Sequence, residues 1–214
     1  MRASEQLRTL PRAVRTRLGA DSLAGIRVAV QGVGHVGLNL CRLLHEAGAT
    51  LVVADVDATN LARVRAEVPV TEVAPMELLF ADVDVLAPCA LGNVLTSVTI
   101  PKLKAKIVAG AANNQLANPE DGARLAQRGI LYAPDYVINA GGIISVAREY
   151  LGVSHEAEVR DEVQRIPERL QAIFTEAEAS GRPTDAVADD LARRIVSGDD
   201  SPPPSSRKPK RRIA

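Results

Sequence analysis

Ile26-Arg27-Val28-Ala29-Val30-Gln31-Gly32-Val33-Gly34-His35-Val36-Gly37-Leu38-Asn39-Leu40 is the stretch whose reading decides the fold. Its first part, Ile26 to Val30, is a short apolar, valine-rich run of the kind that forms a buried strand. Gly32 to Gly37 then spell G-x-G-x-x-G, and Val36, Leu40, Leu43 and Leu44 recur behind them at helical spacing. A glycine-rich turn between a strand and a helix is the order that a dinucleotide fingerprint requires. Gly32 permits the tight turn, Gly34 lets the main chain approach a pyrophosphate, and Gly37 allows the helix to pack closely on the strand. The N–H groups at the helix start face the phosphates. A second apolar run, Thr50 to Ala54, ends in Asp55, about as far downstream as a ribose-binding acid should lie.

Asp55 can accept hydrogen bonds from both ribose hydroxyls, and its charge repels a 2′-phosphate. Val56 and Asp57 follow it rather than an arginine or lysine, so NAD is favoured over NADP. Asp57 reads as an exposed turn residue. His35 and Val36 occupy the variable slots of the fingerprint beside the phosphates. His35 is therefore assigned to cofactor contact and not to catalysis.

Working outward, strands and helices alternate with short loops between them. Helix is predicted over Ala58 to Glu67, a third strand over Pro69 to Val73, and a helical turn over Pro75 to Phe80. Val83 to Ala87 is a fourth strand stopped by Pro88, followed by the loop Cys89 to Asn93 and a short helix around Ile100 to Leu103. Lys106 to Ala109 is a fifth strand, Pro119 opens a helix over Glu120 to Arg128, and Ile130 to Ala133 is a sixth strand. This alternation predicts the α/β class, a Rossmann-type doubly wound parallel sheet with appended C-terminal helices. Those helices are expected over Gly142 to Tyr150, Glu156 to Ser180 with a kink at Pro167, and Pro183 to Ser197. The predicted organisation is a connecting helix over 1–22, a dinucleotide-binding domain over 23–152, C-terminal helices over 153–198 and a basic tail over 199–214. The tail carries Pro202, Pro203 and Pro204 and a basic run from Arg207 to Arg212, and is expected to be disordered and solvated.

Composition excludes several functions. Lys+Arg and Asp+Glu balance at 26 each, which gives no electrostatic footprint for nucleic acid or an anionic membrane. Aromatic content is 2%, so the core must be aliphatic. Two cysteines, Cys41 and Cys89, make no disulfide framework and suit a reducing, cytoplasmic setting. No apolar run reaches membrane-spanning length, and no metal site is predicted. The segment Met1 to Arg17 has five arginines and a single acid, Glu5, which superficially resembles a transit peptide. Leu7, Leu10, Val14 and Leu18 at spacings of three and four favour an amphipathic helix instead, with Pro11 interrupting it or marking its start.

A ligand of an open α/β sheet binds outside the carboxyl ends of the strands, at the switch point. The loops there are Gly32 to Gly37, Asp55 to Asp57, Pro88 to Asn93, Gly110 to Gln115 and Pro134 to Gly142, and the later ones are rich in Gly, Ala and Asn. Four motifs lie in these loops. They are Gln31-Gly32-Val33-Gly34-His35-Val36-Gly37, Ala87-Pro88-Cys89-Ala90-Leu91-Gly92, Ala109-Gly110-Ala111-Ala112-Asn113-Asn114-Gln115-Leu116, and Pro134-Asp135-Tyr136-Val137-Ile138-Asn139-Ala140-Gly141-Gly142-Ile143. In this order they resemble the Glu/Leu/Phe/Val dehydrogenase family, closest to its leucine, phenylalanine and valine branch, over about Ala13 to Ser197. The resemblance implies oxidative deamination of an L-amino acid to a 2-oxo acid and ammonia, with NAD taking the hydride. It implies that Gly32, Gly34, Gly37 and Asp55 hold the adenosine diphosphate half. Cys89, Ala90, Leu91, Gly92, Asn93, Ala111 and Asn113 would line the ribose and nicotinamide. Asn139 would fix the carboxamide or the substrate carboxylate.

Family enzymes carry a lysine-bearing substrate domain ahead of this region, and nothing in the chain matches it. Lys102, Lys104 and Lys106 are the only lysines before the tail and read as surface residues. No catalytic residue is assigned in the chain. Two functions are therefore expected to compete: the NAD-binding half of an amino-acid dehydrogenase, truncated, mis-started or split from a lysine-bearing partner domain, and a free-standing NAD-binding sensor or interaction module without turnover. Apolar positions from Val159 to Phe174 and at Val187, Leu191 and Ile195 are expected to lose cover without a substrate domain. Each exposed side chain of that kind costs about 1.5–3 kcal/mol relative to burial, so a homo-oligomer or self-association is predicted.

Overall fold

The computed structural model describes residues 2–150 and 156–198. Six strands form one sheet: β1 Arg27–Gln31, β2 Thr50–Ala54, β3 Thr71–Glu72, β4 Val85–Pro88, β5 Ile107–Val108 and β6 Leu131–Tyr132. Every pairing is parallel, and the spatial order is β3-β2-β1-β4-β5-β6. The chain runs outward from β1 in one direction, then returns and continues on the other side. The switch point therefore falls between β1 and β4, where Val28 lies opposite both Leu51 and Val85.

Strand residues alternate between two cores. Val28, Val30, Leu51, Val53, Val85, Ala87 and Ile107 face one apolar layer, while Ala29, Val52, Ala54, Leu86 and Val108 face the other. Both faces are covered, so these strands read as unbroken apolar runs rather than as an alternation. The first layer is closed by α1 Arg2–Leu18, α2 His35–Glu46, α3 Ala58–Glu67 and α9 Ile166–Ser180. The second is closed by α4 Pro75–Leu78, a 3-10 turn Ile100–Lys102 and α5 Glu120–Gln127. The remaining helices are α6 Asp135–Ile138, α7 Ala140–Tyr150, α8 Glu156–Gln164 and α10 Thr184–Ser197.

The α/β class and the parallel doubly wound sheet are thus as expected, and four local readings need correction. Pro11 neither interrupts nor starts the first helix, since α1 runs through it. Leu10, Ala13 and Val14 on its buried face anchor it in the core, which offsets the one backbone bond a proline removes. Pro88 is the last residue of β4, opposite Gln31, rather than a stop before it. The single helix expected from Glu156 to Ser180 is two helices, α8 and α9, parted at Arg165. Pro167 has no N–H for the carbonyl four residues back and its ring crowds that carbonyl, so the kink becomes a break.

The fourth correction concerns exposure. Leu170, Ile173, Phe174 and Val187 are fully buried inside this chain, and among the described side chains only Ile195 of the expected unpartnered positions is strongly exposed. The exposed apolar stripe lies instead on α7, at Ile143, Val146 and Tyr150. No helix among the described residues is long and apolar enough to cross a membrane. The expected basic tail, 199–214, lies outside the described residues.

Candidate functional site

The glycine turn leaves β1 at Gly32, whose φ of +87° is one that side-chain-bearing residues rarely adopt. Its N–H donates to the Ala54 carbonyl at 2.8 Å, tying the turn to the end of β2. A Cβ on Gly37 would stand 1.9 Å from the Gly32 carbonyl oxygen, so α2 reaches the strand only because that atom is missing. At Gly34 the situation is reversed. A Cβ there would meet nothing nearer than Asn60 Nδ2 at 3.9 Å, so the space above it is open. Gly34 is also the N-cap of α2 and brings no side-chain cap, which leaves first-turn N–H groups for an outside anion. His35 stands exposed at that helix start and Val36 half-buried beside it. An open glycine cradle at an uncapped helix start fits a pyrophosphate.

Asp55 lies half-buried at the end of β2, and the chain itself occupies much of its carboxylate. Oδ2 accepts the Val33 N–H at 2.7 Å and the Asn60 amide at 3.3 Å, and Oδ1 accepts the Asp57 N–H at 2.9 Å. A carboxylate offers about four lone-pair sites, so roughly one stays free for a ribose hydroxyl unless Asn60 swings away. Asp55 therefore locks the glycine turn in place as well as facing a ligand. Asn60, one turn into α3, was not singled out from the sequence; its five-residue offset from Asp55 is the only trace it leaves there. Val56 is 93% exposed, with its side chain in solvent beside the acid. Asp57 is the N-cap of α3 and accepts the Thr59 N–H at 2.8 Å. Asp57→Ala should cost about 0.5–2 kcal/mol of stability and leave ligand affinity unchanged, which denaturant melts and calorimetry will show.

The other half of the site follows β4, β5 and β6. Cys89 donates its N–H to the Gln31 carbonyl at 2.7 Å, which holds this loop against the end of β1. Burial pushes the Cys89 thiol up to about 12, so it is a neutral packing group rather than a nucleophile. Ala90 and Asn93 are exposed and Gly92 half-buried, while Leu91 projects into solvent at 77% exposure. Asn93 and Asn114 both have positive φ, 57° and 53°, and the Asn93 N–H donates to the Asn114 carbonyl at 2.7 Å. Ala111 is buried and Asn113 exposed. Asn139 is 8% exposed and donates its Nδ2 to the Ala111 carbonyl at 3.2 Å, while its Oδ1 has no hydrogen-bond partner among the described residues. Gln31 Oε1, at the end of β1, is likewise buried without one. An orphaned buried acceptor costs about 1–3 kcal/mol, a deficit that a ligand N–H such as a carboxamide removes.

Every residue expected at the cofactor thus lies at the carboxyl ends of β1, β2, β4, β5 or β6, on one rim of the sheet. Lys102, Lys104 and Lys106 are exposed and stand before β5, at its opposite end. A cavity of about 340 Å³ lies elsewhere, on the flank of α1, α5, α9 and α10, against Arg17, Phe174 and Glu178.

The family model for glutamate/leucine/phenylalanine/valine dehydrogenase matches residues 53–188. The chain belongs to this dehydrogenase family. It is 43% identical to the leucine dehydrogenase of Geobacillus stearothermophilus over 189 residues, which are 88% of this chain and 51% of that protein. With the L-tryptophan dehydrogenase of Nostoc punctiforme it shares 48% over 185 residues, 86% of this chain and 51% of the relative. The crystal structure of an L-tryptophan dehydrogenase from Nostoc punctiforme superimposes with a TM-score of 0.87 at 44% identity, over 92% of this chain and 59% of the other. A hetero-hexameric glutamate dehydrogenase from Thermus thermophilus, in a leucine-bound form, gives a TM-score of 0.70 at 26% identity over 95% and 55%. This family member spans about half the length of the curated dehydrogenases it matches.

Proposed function

We propose that this chain is the NAD-binding part of an L-amino-acid dehydrogenase that converts the amino acid to its 2-oxo acid and ammonia. The observation that carries the reading is the Asp55 carboxylate, fastened to the open glycine turn through Val33, with exposed Val56 and Asp57 following it rather than an arginine or lysine. Bound there, NAD supplies the hydride acceptor. The chain's own residues do the holding. Gly34 and the start of α2 seat the pyrophosphate, Asp55 takes a ribose hydroxyl, and Cys89 to Asn93, Ala111 and Asn113 line the nicotinamide side. Asn139 offers its unpartnered Oδ1 to the carboxamide or to the substrate. The base that accepts the amine proton comes, on this reading, from a lysine-bearing domain on the other side of the cleft. The exposed stripe Ile143, Val146 and Tyr150 on α7, starting just beyond Asn139, is an apolar face suited to such cover.

The second reading is an NAD-binding module without turnover. Burial of Leu170, Ile173, Phe174 and Val187 within the chain favours it, since the C-terminal helices find cover inside this chain. One experiment separates the two. NADH formation from L-leucine, L-valine or L-tryptophan is measured with this chain mixed with the separately expressed N-terminal half of the related leucine dehydrogenase. NADH formed only in the mixture supports the dehydrogenase; NAD binding without NADH in any mixture leaves the module.

Cofactor choice is tested apart from turnover. Calorimetry should show NAD bound in the micromolar to millimolar range and NADP bound more weakly. Asp55→Ser combined with Val56→Arg removes the repelling charge and adds a guanidinium for the 2′-phosphate, so the preference should reverse. A double variant that still rejects NADP would refute this account of specificity.

A further inference from the structure

Asp135 begins α6 and is 7% exposed, yet none of the roles above uses its carboxylate. Oδ2 accepts the backbone N–H of Gln115 at 2.8 Å and the Tyr132 hydroxyl at 3.0 Å. Burial and the nearby Asp135 charge hold the Tyr132 phenol far above its ordinary pKa, so it remains an O–H donor. Its oxygen in turn accepts the Asp135 N–H at 3.3 Å, which closes a small ring of bonds around the carboxylate.

Gln115, 0% exposed, carries this anchorage onward. Its Nε2 donates to the Gly110 carbonyl at 2.7 Å and the Ala112 carbonyl at 2.9 Å, so the loop after β5 is folded around one side chain. That loop presses on the one after β4. The Leu95 N–H donates to the Gln115 carbonyl at 3.0 Å, and a Cβ on Gly92 would stand 2.5 Å from the Asn113 oxygen. The left-handed conformations of Asn93 and Asn114 are uncommon for side-chain-bearing residues and persist where surrounding bonds over-determine them. Among the described residues the side chains of Asp135 and Gln115 make no hydrogen bond to the glycine turn or to Asp55, whose carboxylate takes Val33, Asp57 and Asn60. The loop after β4 meets the turn where Ala90 packs on Gly32 and Cys89 bonds Gln31.

We propose that Asp135 is a positioning residue for the nicotinamide end of the cofactor site. Acting through Gln115, it sets the loops 110–116 and 89–95, and it reaches the adenosine diphosphate end only indirectly, through the packing of Ala90 on Gly32. This rests on the NAD-binding reading above.

Calorimetry on the 214-residue chain with NAD and with ADP-ribose, which lacks only the nicotinamide, tests it. The parent chain should bind NAD more tightly than ADP-ribose. Asp135→Ala should remove that advantage, a loss of up to about tenfold in NAD affinity, which is what the loss of one ordinary ligand hydrogen bond on a displaced loop amounts to. ADP-ribose affinity should stay within about twofold, and Asp135→Asn, which keeps an acceptor for Gln115, should restore most of the advantage. If the alanine variant does not fold, Gln115→Met carries the test, with the same selective loss expected. Parallel weakening of both ligands, or an unchanged NAD advantage, overturns the proposal. So does a parent chain that binds the two ligands equally. A parent chain that fails to bind ADP-ribose overturns the NAD site itself.

Discussion

Gly37→Ala is expected to lower the melting temperature by roughly 2–12 °C and to remove measurable NAD binding. The new Cβ would lie 1.9 Å from the Gly32 carbonyl oxygen and 2.9 Å from its carbon. Both are backbone atoms, so no rotamer change relieves the contact, and either α2 lifts from the sheet or the turn is remade. Overpacking of this kind costs about 1–3 kcal/mol and occasionally more, and each kcal/mol shifts the midpoint by about 2–4 °C for a chain this long. Either adjustment also moves the Gly34 cradle and the N–H groups at the start of α2. Scanning calorimetry and NAD titration on the same sample check both parts. A parental melting temperature together with parental affinity would show that the fingerprint glycine is not packed as described.

Gly37 also shows why so much of the fold was legible in the sequence. A close approach of helix to strand demands one residue type at one place, and the parallel sheet demands apolar runs of fixed period. Strand existence, order of elements and the rim of the site could therefore be read from Ile26 to Tyr132. Element ends could not: β3, β5 and β6 are two residues each, because a strand lasts only as long as its neighbour pairs with it. The anchor from Asp135 to Gln115 spans 20 residues and the Val33 bond to Asp55 spans 22. Neither has a local pattern, so Asp135 and Gln115 are legible in the sequence only as members of their loop motifs, without a role, and Asn60 only as a helix residue. The exposure of the C-terminal helices was misjudged for a related reason, since their cover comes from α1 at the other end of the chain.

Asp55→Ala should weaken NAD by about 1–3 kcal/mol, a factor of roughly 5 to 150. The loss has two sources that a second variant separates. Asp55→Asn retains an acceptor for the Val33 N–H, so the glycine turn stays anchored while the charge is lost. It should fall between the parent chain and the alanine variant, and it should discriminate less against NADP. Asn60→Ala frees a lone pair on Asp55 and should change NAD affinity by much less than Asp55→Ala. Calorimetric affinity in Asp55→Ala equal to that of the parent chain would remove the ribose assignment.

The pairing of the first helix with α9 sets a condition on synthesis. Thr16 and Gln171 share a hydrogen bond across 155 residues, and Leu10, Ala13 and Val14 share their core with Leu170, Ile173 and Phe174. At about 5–20 residues per second, a ribosome needs roughly 10–30 s to make the chain between them. For that time α1 can pack on α2 but the part of its apolar face that α9 covers has no final partner. A nascent chain of this kind offers holding chaperones a defined early target, and stalling translation before Phe174 should leave it protease-sensitive near its N-terminus.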